Sequence, residues 1–180
     1  MKFKDLVIEN VKANDDELTI EGYASVFDNT DAYGDIVIKG AFENSLKKRK
    51  PLFLFNHNHN IVLGHLEAAA EDDVGLYFKA KFNKNVTESV EKYHLCKSGD
   101  LSGMSIGYLT VKEYWDKVKH VNILQEVDLY EISLVTFPAN DLARVERVKS
   151  VEQFNQINNI VKSGFNELKQ QLNKIVKALC

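Results

Sequence analysis

The chain is short of the residues that staple or punctuate many small proteins. It has two cysteines in 180 residues, Cys96 and the terminal Cys180, which excludes a disulfide framework. It has two prolines, Pro51 and Pro138, and both read as stops, the first after a helix and the second after a strand. It lacks an excess of positive charge: the formal net charge is −3, which excludes a protein whose main task is to coat nucleic acid. The opening MKFKDLVIEN has no apolar run long enough for a signal peptide, and no stretch approaches the length of a membrane span. A soluble, cytoplasmic protein with reduced thiols is expected. Apolar residues make up 44 % of the chain, enough for a real core in one domain with an appendage. No internal repeat is visible.

Alternating patterns dominate the first three quarters. LTIEGYASVF, DIVIKG, PLFLFNHN, GLYFKAKF, LSGMSIGYLTVKEYW and HVNILQEVDLYEISLVTF read as strands, the last as one long strand or two short ones. AFENSLKKRK places Phe42 and Leu46 on one helical face before Pro51. NVTESVEKYHLCKSG reads as a second helix, with Val86, Val90 and Tyr93 on one face and Gly99 at the C-terminal cap. The composition changes after about Val148. From Ile157 to Leu179 apolar residues recur at steps of three and four, close to a heptad seam, interrupted by Gly164. The expected division is a domain over 1–148 and a helical tail over 149–180, which either docks on its own domain or pairs as a coiled coil.

Three of the five histidines fall in FNHNHNIVLGH, Phe55 to His65. On a strand His57 and His59 would share a face, as metal ligands often do. With His65 they could make three ligands for zinc, but no carboxylate or cysteine lies at a familiar spacing, and Asp72 and Asp73 sit in a turn. His94 and Cys96 are two apart on a helix and do not face each other, so Cys96 reads as a small buried residue. The basic run Lys47 to Lys50 reads as a solvated helix end favoured by the helix dipole. Ser102 and Ser105 lie in DLSGMSIGY. Gly103 to Gly107 matches G-x-S-x-G, yet a strand follows rather than a sharp strand–helix turn, so the hydrolase elbow fails on context. Glu131 sits inside an otherwise apolar strand, with Leu129, Ser133 and Val135 assigned to its face. An exposed strand face is the plainer reading there, because a buried acid needs a partner.

Five blocks, taken together and in order, resemble the HK97-type prohead proteases of tailed bacteriophages: IEGYASVFDN, GDIVIKGAFENSL, PLFLFNHNHNIVLG, SGDLSGMSIGY and LYEISLVTFPAN. The resemblance covers about Ile20 to Asn140. It implies a fold similar to the herpesvirus maturation proteases, namely α+β with a mainly antiparallel, β-barrel-like core flanked by helices, here followed by a C-terminal amphipathic helix. Carried over position by position, it implies His57 as base, Ser105 as nucleophile and Glu131 as the acidic third member. Herpesvirus enzymes use a second histidine in that third role. Where the family has Asp-Pro or similar after the base, this chain has Asn58-His59, so His59 competes with His57. No cofactor or metal is implied.

The resemblance further implies a serine endopeptidase of capsid maturation. Its substrate would be the scaffolding segment of the phage major capsid protein, and also the protease itself. It would act as a homodimer inside the procapsid, in the bacterial host cytoplasm, with no nucleic-acid or membrane partner. Three rivals remain open: an inactive scaffold acting through the C-terminal helix, a metal hydrolase built on His57, His59 and His65, and a binding module with a dimerising tail.

Overall fold

Period-two alternation in GLYFKAKF shows as alternating burial over most of that strand, and it pairs with TIEGYASV, which is buried along most of its length on both faces. The computed structural model describes residues 18–149, of which Leu18–Val148 form one compact unit. Along it run β1 (Thr19–Val26), β2 (Asp35–Val37), α1 (Glu43–Lys48), β3 (Leu52–Phe55), β4 (Asn58–Glu71) and β5 (Gly75–Phe82). Then follow α2 (Thr87–Ser98), β6 (Gly103–Asp116), β7 (Val121–Val135) and β8 (Val145–Lys149). The expected helical tail and its seam lie outside the described residues.

The strands form one sheet in the order β2-β7-β3-β4-β5-β1-β8, with β6 also paired to β7. The β1–β5, β3–β4, β4–β5 and β6–β7 ladders are antiparallel, and β2 and β3 lie parallel to β7. The sheet is open, and a bridge between Gly103 and Arg144 draws its ends together. There Met104 N–H donates to Ala143 O (3.0 Å) and Val145 N–H to Ser102 O (2.8 Å). The expected mainly antiparallel core with flanking helices is therefore present, curled rather than closed by continuous ladders. Inside the curl lie Ile20, Phe53, Leu63, Leu66, Phe78, Met104, Ile132 and Leu134, all essentially inaccessible to solvent.

Two local expectations need correction. Strand β4, fourteen residues long, carries three successive alanines and was not foreseen. Its residues have weak strand preference, and pairing to β3 on one side and β5 on the other imposes the conformation. Helix α2 buries Ser89, Tyr93 and Cys96, not a face built on Val86 and Val90. Ser89 decides this. Its hydroxyl donates to Leu63 O and accepts Asn83 N–H (3.0 Å), pinning the helix to β4 by a polar contact. Gly99 caps α2 at φ 83°, the left-handed conformation its position predicts.

Helix α1 is clipped to β7. Leu129 N–H donates to Ser45 Oγ (2.7 Å), and Arg49 pairs with Asp128 (3.1 Å) while its guanidinium lies 4.0 Å from the Tyr130 ring centre. Within the basic run Arg49 is thus packed, while Lys47, Lys48 and Lys50 are exposed as expected.

Candidate active site

His57 is not on a strand. Phe55 pairs with Asn58, leaving Asn56 and His57 as the two central residues of the β3–β4 hairpin, at φ 48° and 57°. Positive φ at both positions defines a type I′ turn, whose twist matches the flanking strands. Asn56 fastens the turn to the end of β7. Its N–H donates to Leu134 O (2.9 Å), and its side-chain carbonyl accepts Thr136 N–H (3.0 Å). His57 N–H donates to Ser133 Oγ (3.1 Å). The shared-face argument for His57 and His59 therefore fails, since only His59 lies on β4.

Glu131 overturns the exposed-face reading: it is 4 % exposed. The reason is a β-bulge. Gly107 pairs with Glu131 but Tyr108 pairs with Leu129, so Tyr130 is the extra residue of β7. The bulge lets Leu129 and Ile132, three apart, both enter the core, while Glu131 and Ser133 turn to the opposite face. Leu129 therefore does not share a face with Glu131.

On that opposite face the cross-strand register puts Ser105 beside Ser133 and Gly107 beside Glu131. Glu131 Oε1 meets His57 Nδ1 at 2.5 Å, and Ser133 Oγ donates to Glu131 Oε2 at 2.6 Å. Both carboxylate oxygens are thus satisfied, which is what a buried acid requires. Gly107 supplies the room: a Cβ there would lie 2.1 Å from Glu131 Oε1.

The hydrogen bond to Glu131 raises the His57 pKa above its usual value and outweighs the opposing effect of partial burial. The ring is 46 % exposed. It lines two concavities. One, of about 460 Å3, also contains Ser105, which is 7 % exposed. The other is an open, mostly apolar groove of about 800 Å3 walled by Leu52, Leu54, Leu109 and Tyr130. Ser105 and His57 share a cavity without a hydrogen bond between them.

The structure thus brings His57, Glu131 and Ser105 to one place and leaves other candidates outside. His59 lines the apolar groove and not the Ser105 cavity, and His65 stands opposite Lys81 further along β4. Among the described residues no three His, Cys, Asp or Glu side chains are grouped to hold a metal. Ser102 precedes β6 and does not line the Ser105 cavity. Cys96 is buried, which pushes its thiol pKa up to about 12. Asp72 accepts Val74 N–H (2.7 Å) and Gly75 N–H (3.0 Å), so it builds a turn.

Sequence reasoning named Gly107 only as a flank of Ser105 and Ser133 only as a neighbour on the face of Glu131, and gave neither a part in holding that carboxylate. A Glu-x-Ser pair in an apolar strand was the available signal, since residues two apart share a face and a buried acid needs a donor.

A carboxylate–imidazole pair beside a buried serine is the arrangement of serine-type acyl transfer. The comparisons with known proteins point to the same class. The family model of the Caudovirus prohead serine proteases matches residues 4–157, and the chain belongs to that family. It is 35 % identical over 144 residues to the prohead protease of Enterobacteria phage HK97, covering 78 % of this chain and 64 % of that protein. It is 26 % identical over 153 residues to the prohead protease of Escherichia phage T5, covering 82 % of this chain and 71 % of that one. The chain thus spans just under two thirds of the HK97 relative. The fold is similar to that of the bacteriophage T4 capsid assembly protease gp21, with a TM-score of 0.56 at 15 % identity, covering 67 % of this chain and 82 % of that one.

Proposed function

We propose that the chain is a serine endopeptidase of phage capsid maturation, with Ser105 as nucleophile, His57 as base and Glu131 as the residue that orients His57. The observation that carries this reading is the 2.5 Å contact of His57 Nδ1 with buried Glu131, beside Ser105 in one cavity. With Nδ1–H committed to Glu131, the Nε2 lone pair is left to accept the Ser105 proton. Ser105 Oγ attacks the scissile carbonyl and forms a tetrahedral oxyanion. His57 passes the captured proton to the leaving amine, and an acyl-enzyme remains. Water then attacks the ester, giving its proton to His57, and Ser105 leaves as the free hydroxyl. The half-exposed imidazole closes the remaining gap to Ser105 when substrate fills the cavity, since catalytic hydrogen bonds commonly tighten only in the complex.

Membership of the prohead protease family supports the scaffolding segment of the major capsid protein as substrate, and the protease itself as a second one. The site of action is the procapsid in the host cytoplasm, where enclosure supplies effective concentration and turnover need not be fast. The expected homodimer and the helical tail over 149–180 belong to the same proposal, the tail joining the protease to the assembling scaffold. Removal of residues 151–180 should then leave peptide cleavage intact and abolish packaging.

Co-expression with the capsid protein encoded beside it tests the reading. Intact masses of the assembled shells should show defined cuts with the wild-type chain and none with Ser105→Ala. Equal uncut masses would favour an inactive scaffold instead. Cuts in both would place the nucleophile elsewhere.

A further inference from the structure

The cavity that holds Ser105 and His57 has a second chemical character. Asp31 and Asp35 line it, and no lysine or arginine does. Both carboxylates are held by neutral donors alone. Asp31 Oδ1 accepts Tyr33 N–H (2.8 Å) and Asp35 N–H (2.9 Å). Asp35 accepts Asn122 Nδ2–H at 3.2 Å on one oxygen and Tyr108 O–H at 3.4 Å on the other. Neither forms an ion pair among the described residues. Their charge is felt on the neighbouring wall: the Tyr108 hydroxyl pKa is raised by burial and then by the charges of Asp35 and Asp31. Burial also pushes the Asp31 carboxyl upward against its own hydrogen bonds. On the protease reading the peptide enters this same cavity, because Ser105, 7 % exposed, lines it with a hydroxyl that has no hydrogen-bond partner among the described residues.

We propose that this cavity selects peptides that carry a lysine or arginine at, or next to, the cleaved bond, with Asp31 and Asp35 receiving the cation. The inference rests on the protease reading and adds the substrate class. Two carboxylates without a counter-ion are costly in a partly desolvated space, and a cation entering it removes that cost. Attack by Ser105 also builds negative charge on the substrate oxygen within the same cavity. A substrate-borne cation offsets the repulsion that the two aspartates would otherwise add to that step. The volume of about 460 Å3 accommodates such a side chain with adjoining backbone.

A synthetic peptide library with Lys, Arg, Gln, Leu or Glu at the positions flanking the cleaved bond tests this on the full chain, read by mass spectrometry. The kcat/KM for a basic peptide should exceed that of its Gln counterpart by about tenfold or more. Asp31→Asn keeps its one accepting oxygen and removes the charge. Asp35→Asn removes the charge and keeps one of two accepting oxygens, its new amide N–H being able to donate to the Tyr108 hydroxyl oxygen instead. Each should cut the preference to about threefold or less, with thermal melts showing that the fold survives. Equal or better cleavage of neutral or acidic peptides overturns the inference, as does a preference that outlives both substitutions. Cleavage without a basic preference overturns this inference alone. Failure of the wild type to cut any peptide overturns the protease reading and this one with it.

Discussion

The two halves of the β6–β7 ladder are built from the same two strands and serve opposite ends. From Gly103–Val135 to Gly107–Glu131 the pairing runs without a shift. That half buries three polar side chains, Ser105, Glu131 and Ser133, on one face while the other face enters the core. β3 pairs on its far side and brings the His57 turn with it. Beyond Gly107 the register shifts three times in nine residues of β6. There Val111, Tyr114 and Trp115 stand largely exposed. A one-residue slip exchanges the faces of a strand. In the distal half a slip of β6 swaps one exposed side chain for another, while β7 keeps Leu124, Val127 and Leu129 in the core. In the near half a slip of β7 would send Glu131 into the core and Ile132 into the active site. Regular register is concentrated where the chemistry needs it, and the Tyr130 bulge is the boundary.

The contrast can be broken from the near half first. Glu131→Gln keeps the shape and removes the charge, and should lower kcat by about a thousandfold. The pH profile gives the sign. Glu131 raises the His57 pKa, and His57 acts as a base only when neutral, so kcat/KM should rise with pH through a midpoint above about 6.5. In Glu131→Gln that midpoint should move down. The same raised value makes a folding contribution that is fully present below the unfolded-state pKa and lost as pH rises through the folded one. A midpoint unmoved by the substitution would dissociate the pair.

Gly107→Ala should cost about a hundredfold in kcat, because the added methyl displaces the carboxylate it faces and, through it, His57. A crystal structure of the variant with Glu131 undisturbed would contradict this. Ser133→Ala removes one bond from Glu131 and the acceptor of His57 N–H. It should lower kcat about tenfold with little change in KM, and Ser133→Thr should recover most of the loss. The smallest effect belongs to the distal half. Val111→Thr, at a position 55 % exposed, should leave kcat/KM unchanged and stability within about 0.5 kcal/mol in a urea melt.

How much of this was readable in the residues divides along the same line. Alternation located β1, β5, β6 and β7, and the Pro51 and Gly99 stops located both helix ends. What alternation could not deliver was the bulge. Reading Leu129, Glu131, Ser133 and Val135 as one face is correct for an unbroken strand, and a single extra residue at Tyr130 makes it wrong. The hairpin at Asn56-His57 was hidden because its turn holds Asn-His where such turns usually show Asn-Gly, so the strand reading of PLFLFNHN ran through the turn and β4 went unread. Ser105 and His57 are 48 positions apart in the sequence and meet only through the parallel pairing of β3 to β7. No local pattern encodes that pairing. The resemblance to a family named the same three residues, but the support each receives from Gly107, Ser133 and Asn56 came from the structure.

The hairpin tip carries one more consequence. The second central position of a type I′ turn favours glycine, and every other side chain is disfavoured at positive φ. His57 occupies that position at φ 57°. The chain therefore holds the proposed base in a place where the backbone alone favours glycine over every side chain, histidine among the better tolerated of them. Selection for folding and selection for chemistry pull this residue in opposite directions, and the bonds from Asn56 and Ser133 are what keep the compromise standing. On the proposed reading His57→Gly relaxes the turn and removes the base in one step, so the two demands on this position are separable in a single variant.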